Sequence, residues 1–145
     1  MDTLVAKIEE LKKSENKLLL VIGQPGSGKS RLIHDYSAAT GVPIIDFNKI
    51  FGETAKDNID LLSTMKAFLT TYQQEVLLLD NKRILYSKNS KIDLLAFLKE
   101  ISKDVVVVST WNGMIEDGQL THIRSKGPND LIYSVDSNDF TYILC

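Results

Sequence analysis

The chain has 145 residues, 43% hydrophobic and 25% charged, with 17 Lys and Arg against 19 Asp and Glu for a formal net charge of −2. That composition excludes a chain too polar to fold and suits one domain, residues 1–145, able to bury about 70% of its unfolded surface. The balance of charge lacks the basic footprint of autonomous nucleic-acid binding, so direct DNA contact is not indicated, and no apolar run approaches the ~20 residues of a membrane span.

The first stretch, "MDTLVAKIEELKK", is mixed in charge and has no unbroken apolar core of the signal-peptide kind. Leu4, Ile8 and Leu11 recur at helical spacing and predict an amphipathic helix over 3–13, within an N-terminal segment 1–16. Lys12, Lys13 and Lys17 are interleaved with Glu9, Glu10 and Glu15, which reads as a solvated face rather than a basic patch. "KLLLVIG" (17–23) is a nearly continuous apolar run ending in glycine, the pattern of a strand buried on both faces. "KSRLIHDYSAATG" (29–41) predicts a helix stopped by Gly41, and "VPIIDF" (42–47) a second strand. Ile59, Leu62, Met65, Leu69 and Tyr72 sketch a helix over 57–73. "EVLLLD" (75–80) is a third buried strand, 91–102 a helix, and "DVVVVST" (104–110) a fourth strand ending in the turn-like "STWNG".

Strands alternating with helices predict an α/β three-layer sandwich with a mostly parallel central sheet. The end of the chain differs. "GQLTHI" (118–123), "LIYSV" (131–135) and "FTYIL" (140–144) are short strand-like runs separated by turn residues. They predict a C-terminal β extension over 115–145 that finishes the sheet or forms an antiparallel ribbon. Cys145, the single cysteine, excludes an intrachain disulfide and fits a reducing, cytoplasmic setting.

"GQPGSGKS" (23–30) satisfies G-x-x-x-x-G-K-[ST] between a strand and a helix. In such a P-loop, backbone N–H groups turn around phosphate oxygens and the helix N-terminus adds partial positive charge. The phosphate-contacting set is Gly23, Gln24, Pro25, Gly26, Ser27, Gly28, Lys29, Ser30 and Arg31. Lys29 would reach the β- and γ-phosphates, and the Ser30 hydroxyl would bind Mg²⁺. ATP is the favoured nucleotide, with GTP the other candidate. The fold expected from this motif is that of the P-loop NTPases.

Such a site also needs an acidic residue at a neighbouring strand end to support Mg²⁺. Asp80, after four apolar residues, is the candidate, with Asp46 a competitor. Asn81 then occupies the position where a catalytic glutamate would be sought. An amide can orient water but cannot accept its proton, and losing a general base typically costs ~10²–10⁴ in rate. Glu75 and Glu53 are weak substitutes, and Arg31, Arg83 and Arg124 are the arginines available as a charge-supplying finger. Thr110 and Asn112, at the end of the fourth strand, are candidates to sense a γ-phosphate, with Ser109 behind them; Trp111 is an adenine platform, a partner contact or packing. His34 and His122 have no spaced Cys/His partners for a metal cluster.

Together, "GQPGSGKS", "EVLLLDN" and "VVVVSTWNGMIEDGQLTHI" resemble the BrxF family, small P-loop proteins of BREX bacteriophage-exclusion systems, from about Leu18 to Tyr133. The resemblance implies a cytoplasmic component of phage defence that works with other BREX proteins: a large ATPase, an alkaline-phosphatase-like protein and a DNA methyltransferase. It places nucleotide contacts on Gly23 to Ser30 and Mg²⁺ support on Asp80, and assigns no base at Asn81. The expected activity is slow or assembly-dependent ATP hydrolysis. Because such pockets often lie between subunits, a homo-oligomer is expected. The alternatives are a P-loop binding module with no turnover and a small-molecule or nucleotide kinase, in which Asp46 of "GVPIIDFN" would engage the acceptor hydroxyl, but the C-terminal third holds only Arg124 for a phosphate-covering lid.

Overall fold

The computed structural model describes residues 2–14, 17–24, 26–46, 58–80, 94–116, 119–122, 131–134 and 140–145. In chain order these form α1 (Asp2–Leu11), β1 (Leu18–Gly23), α2 (Lys29–Thr40), β2 (Ile44–Asp46), α3 (Asn58–Leu69) and β3 (Val76–Asp80). There follow α4 (Leu94–Ile101), β4 (Val106–Glu116), β5 (Gln119–His122), β6 (Leu131–Ser134) and β7 (Thr141–Leu144). The order across the main sheet is β2-β3-β4-β1-β7, and every pair along it is parallel.

The period-2 alternation of β1 explains the two cores. Leu18, Leu20 and Ile22 join Met65 of α3 and Leu95, Phe97, Leu98 and Ile101 of α4 on one face. Leu19 and Val21 join Leu4, Ile8 and Leu11 of α1 and Ile33 and Tyr36 of α2 on the other. All six β1 residues are buried, as expected of a parallel strand covered by helices on both sides. The mostly parallel α/β sandwich read from the alternation of elements is therefore present.

The α3–β3 connection is held by a polar contact at the amino end of the sheet. The Tyr72 hydroxyl donates to the Val76 carbonyl at 2.7 Å, and its ring lies 5.4 Å from that of Phe68. Burial pushes the Tyr72 phenol up to about 12.

β4 departs from the expected end at residue 110 and continues to Glu116. Its parallel partners run out first: β3 matches it only as far as Leu79↔Ser109, and β1 as far as Gly23↔Asn112. From Gly113 onward the strand takes β5 as an antiparallel partner, beginning at Gly113↔His122, and β5 pairs with β6. "STWNG" is thus a handover between two ladders, not a turn. Leu120 of this ribbon is buried and joins the core on the α3/α4 face.

The other C-terminal run behaves differently. β7 returns to the main sheet and lies parallel to β1, and the Cys145 N–H donates to the Ile22 carbonyl at 2.7 Å. The end of the chain accordingly completes the sheet and also builds an antiparallel ribbon.

Candidate functional site

The carboxyl ends of parallel strands are where open α/β sheets bind ligands, because loops and helix N-termini converge there. Residues 23–30 run from the end of β1 into α2. Gly26 and Gly28 have φ of 86° and 97°, a left-handed conformation in which a side chain is strained, and Gly28 is the N-cap of α2. Gly23 is closely packed for a separate reason. A Cβ there would collide with the Ser27 hydroxyl and lie 3.1 Å from the Cys145 carbonyl oxygen.

Lys29 opens α2, yet its side chain turns back under the loop and is buried. Its Nζ donates to the Gln24 carbonyl at 2.7 Å and to Ser27 Oγ at 3.4 Å. Burial holds its pKa below the usual lysine value, with the nearby Cys145 and Asp80 acting in the opposite direction. A buried ammonium solvated mainly by neutral oxygens is a place where an anion would relieve an electrostatic cost. Gln24, Gly26, Ser27, Ser30 and Arg31 are exposed around it.

Asp80 ends β3, and β4 lies between that strand and β1. Even so, the Ser30 hydroxyl donates to Asp80 Oδ1 at 3.3 Å, and Thr110 Oγ1 donates to the same oxygen at 3.4 Å. Alternation accounts for this meeting. Val76, Leu78, Val106 and Val108 face the core shared with α2, so Asp80 and Thr110 extend that face to the strand tips. Asn112, half-buried, continues the same alternation and is the register partner of Gly23. Ser30 and Asp80 offer an all-oxygen pair of the kind a hard divalent cation takes. Among the described residues, no group of three or more His, Cys, Asp and Glu could hold a metal ion.

Other residues singled out in the sequence fall elsewhere. Trp111 is 1% exposed in the α3/α4-side core, so it packs and does not serve as an adenine platform. Asp46 is the register partner of Asp80 but belongs to the edge strand β2. Glu75 precedes β3 at the opposite end of the sheet and forms an ion pair with Lys12. Pro25, Glu53, Asn81, Arg83 and Arg124 lie outside the described residues.

One neighbour was missed by sequence reasoning. His34 Nε2 stands 3.7 Å from Asp80 Oδ2. The available signal was its position four residues after Ser30, which puts both on one face of α2.

No family model matches this sequence, and no curated protein or solved structure is significantly similar to it. Among the described residues, no helix is long and apolar enough to cross a membrane.

Proposed function

We propose that this chain is a P-loop nucleoside-triphosphate-binding protein, taking ATP in preference to GTP together with Mg²⁺. Its hydrolysis is slow or depends on an assembly. The supporting observation is the convergence of a complete G-x-x-x-x-G-K-S loop with Asp80, whose carboxylate receives the Ser30 hydroxyl at 3.3 Å across an intervening strand. In this reading the loop N–H groups and the α2 N-terminus bind phosphate oxygens. Lys29 exchanges its contacts with Gln24 and Ser27 for the β- and γ-phosphates. Ser30 and Asp80 hold the cation, which when bound neutralises charge on the phosphates. Thr110, and Asn112 beyond it, meet the γ-phosphate end from β4.

Asn81 orients water without accepting its proton, which separates binding from fast turnover. A neighbouring subunit or partner then supplies what the isolated chain lacks, and a homo-oligomer with the nucleotide near an interface is the natural assembly. The motif resemblance to the BrxF family gives this switch a setting: a cytoplasmic regulatory or assembly component of a BREX-type phage-defence system. A small-molecule or nucleotide kinase is the second reading, favoured only by Asp46 standing beside Asp80 in register.

Calorimetric titration of ATP with Mg²⁺ tests the proposal. The wild-type chain should bind and Lys29→Ala should not; micromolar affinity retained by the variant would sink the loop assignment. Steady ADP release without an acceptor supports hydrolysis, whereas strict dependence on a small hydroxyl compound would transfer the case to the kinase.

A further inference from the structure

Among the described residues, Ser30, Thr110 and His34 all approach Asp80, at different oxygens. Ser30 Oγ and Thr110 Oγ1 lie 3.3 and 3.4 Å from Oδ1, while His34 Nε2 lies 3.7 Å from Oδ2. Ser30 and His34 project from successive turns of α2, so one helix addresses both edges of the carboxylate. A carboxylate rotates through a broad two-fold torsion and can offer either oxygen unless its surroundings choose. Among the described residues, the hydroxyls stand at one edge and the imidazole at the other.

We infer that His34 is a positioning residue for Asp80: its imidazole, 3.7 Å from the outer carboxylate oxygen, orients the carboxylate so that the inner oxygen faces the Ser30 hydroxyl, which sets the affinity of the site for the divalent cation bound with the nucleotide. The inference rests on the nucleotide-binding reading above. The lengths and exposures decide what kind of effect to expect. At 3.7 Å the pair is beyond a direct hydrogen bond, so the ring acts on the carboxylate through its proximity. The His34 side chain is 62% exposed and that of Asp80 is 21% exposed. A contact so open to water adds little to fold stability. Its influence falls on orientation, and a carboxylate that would hold a cation depends on the neighbours that orient it.

The test uses the full chain, a non-hydrolysable ATP analogue and a Mg²⁺ titration, comparing wild type with His34→Leu and His34→Gln. His34→Leu should need about 10-fold more Mg²⁺ for half-saturation, the low end for loss of an outer-shell partner because the ring is exposed. Analogue affinity at saturating Mg²⁺ and the thermal melting temperature should match wild type. His34→Gln, which retains an N–H donor of similar reach, should recover most of the Mg²⁺ response. The inference is overturned by a wild-type Mg²⁺ dependence in the leucine variant, by a glutamine variant as weak as leucine, or by a loss that persists at saturating Mg²⁺. Failure of the underlying reading looks different, since the wild-type chain would then bind no analogue at any Mg²⁺ concentration and both conclusions would go.

Discussion

Thr110 and Trp111 are neighbours on β4, yet they belong to opposite layers of the molecule. Thr110 faces α2 and donates to Asp80, whereas Trp111 is sealed into the core with Phe97, Leu98 and Leu120. The two-residue period of a strand separates them: one position at the strand tip turns a hydroxyl to Asp80, and the next packs into the core. The α2 side of the sheet ends in hydroxyls and a carboxylate, whereas the α3/α4 side is filled by Trp111 after the small, buried Ser109. The polar and the packing side chains of the strand tip are thus sorted by face.

Trp111→Ala is the harshest way to break this division. It should cost about 3–5 kcal/mol through lost burial and a residual cavity, measured by chemical denaturation. A loss below about 1 kcal/mol would mean that the indole is not the packing centre of that face. On the polar side, Asp80→Asn keeps the shape but removes the charge. Mg²⁺-dependent triphosphate affinity should fall by about 10–100-fold with little change in melting, and an unaltered Mg²⁺ response would remove Asp80 from the site.

Tyr72 sharpens the contrast from the amino end of β3, where a polar contact serves structure alone. Tyr72→Phe should cost about 1 kcal/mol without changing nucleotide affinity. Its phenol is raised by burial to about 12 against an ordinary value of 10.0. Between those values the unfolded chain loses a proton that the folded chain keeps, so the Tyr72 contribution to stability falls as pH rises. Denaturation midpoints from pH 9.5 to 11.5 should therefore decline more steeply in wild type than in the phenylalanine variant. The smallest expected stability effect is that of Thr110→Val, within about 1 kcal/mol by denaturation. Its signature should be slower ATP hydrolysis with near-normal ATP affinity; an unchanged rate would leave Thr110 as strand packing only.

How far the molecule could be read from its sequence depended on the range of the interactions involved. Local periodicity located β1, α2 and β3 to within a residue or two, because a doubly buried strand must be apolar throughout and Gly41 caps α2 by donating its N–H to the Ser37 carbonyl. The same reasoning misplaced the end of β4. Polar residues and a glycine look like a turn, but the strand continued because β5 took up the edge that β1 and β3 left free. Trp111 showed a related limit, since only the sheet's two faces could choose between platform and packing.

By itself, the sequence determined the parallel α/β class, the glycine-rich loop between β1 and α2, and the apolar run that delivers Asp80 to a strand end. These follow from short-range rules of burial, backbone freedom and capping. Only the tertiary structure decided that β4 lies between β1 and β3, that Asp80, Ser30 and Thr110 nevertheless meet, and that β7 closes the sheet beside the loop. It alone brought His34 to Asp80. Strand order and side-chain convergence depend on contacts between residues tens of positions apart, which no local pattern encodes.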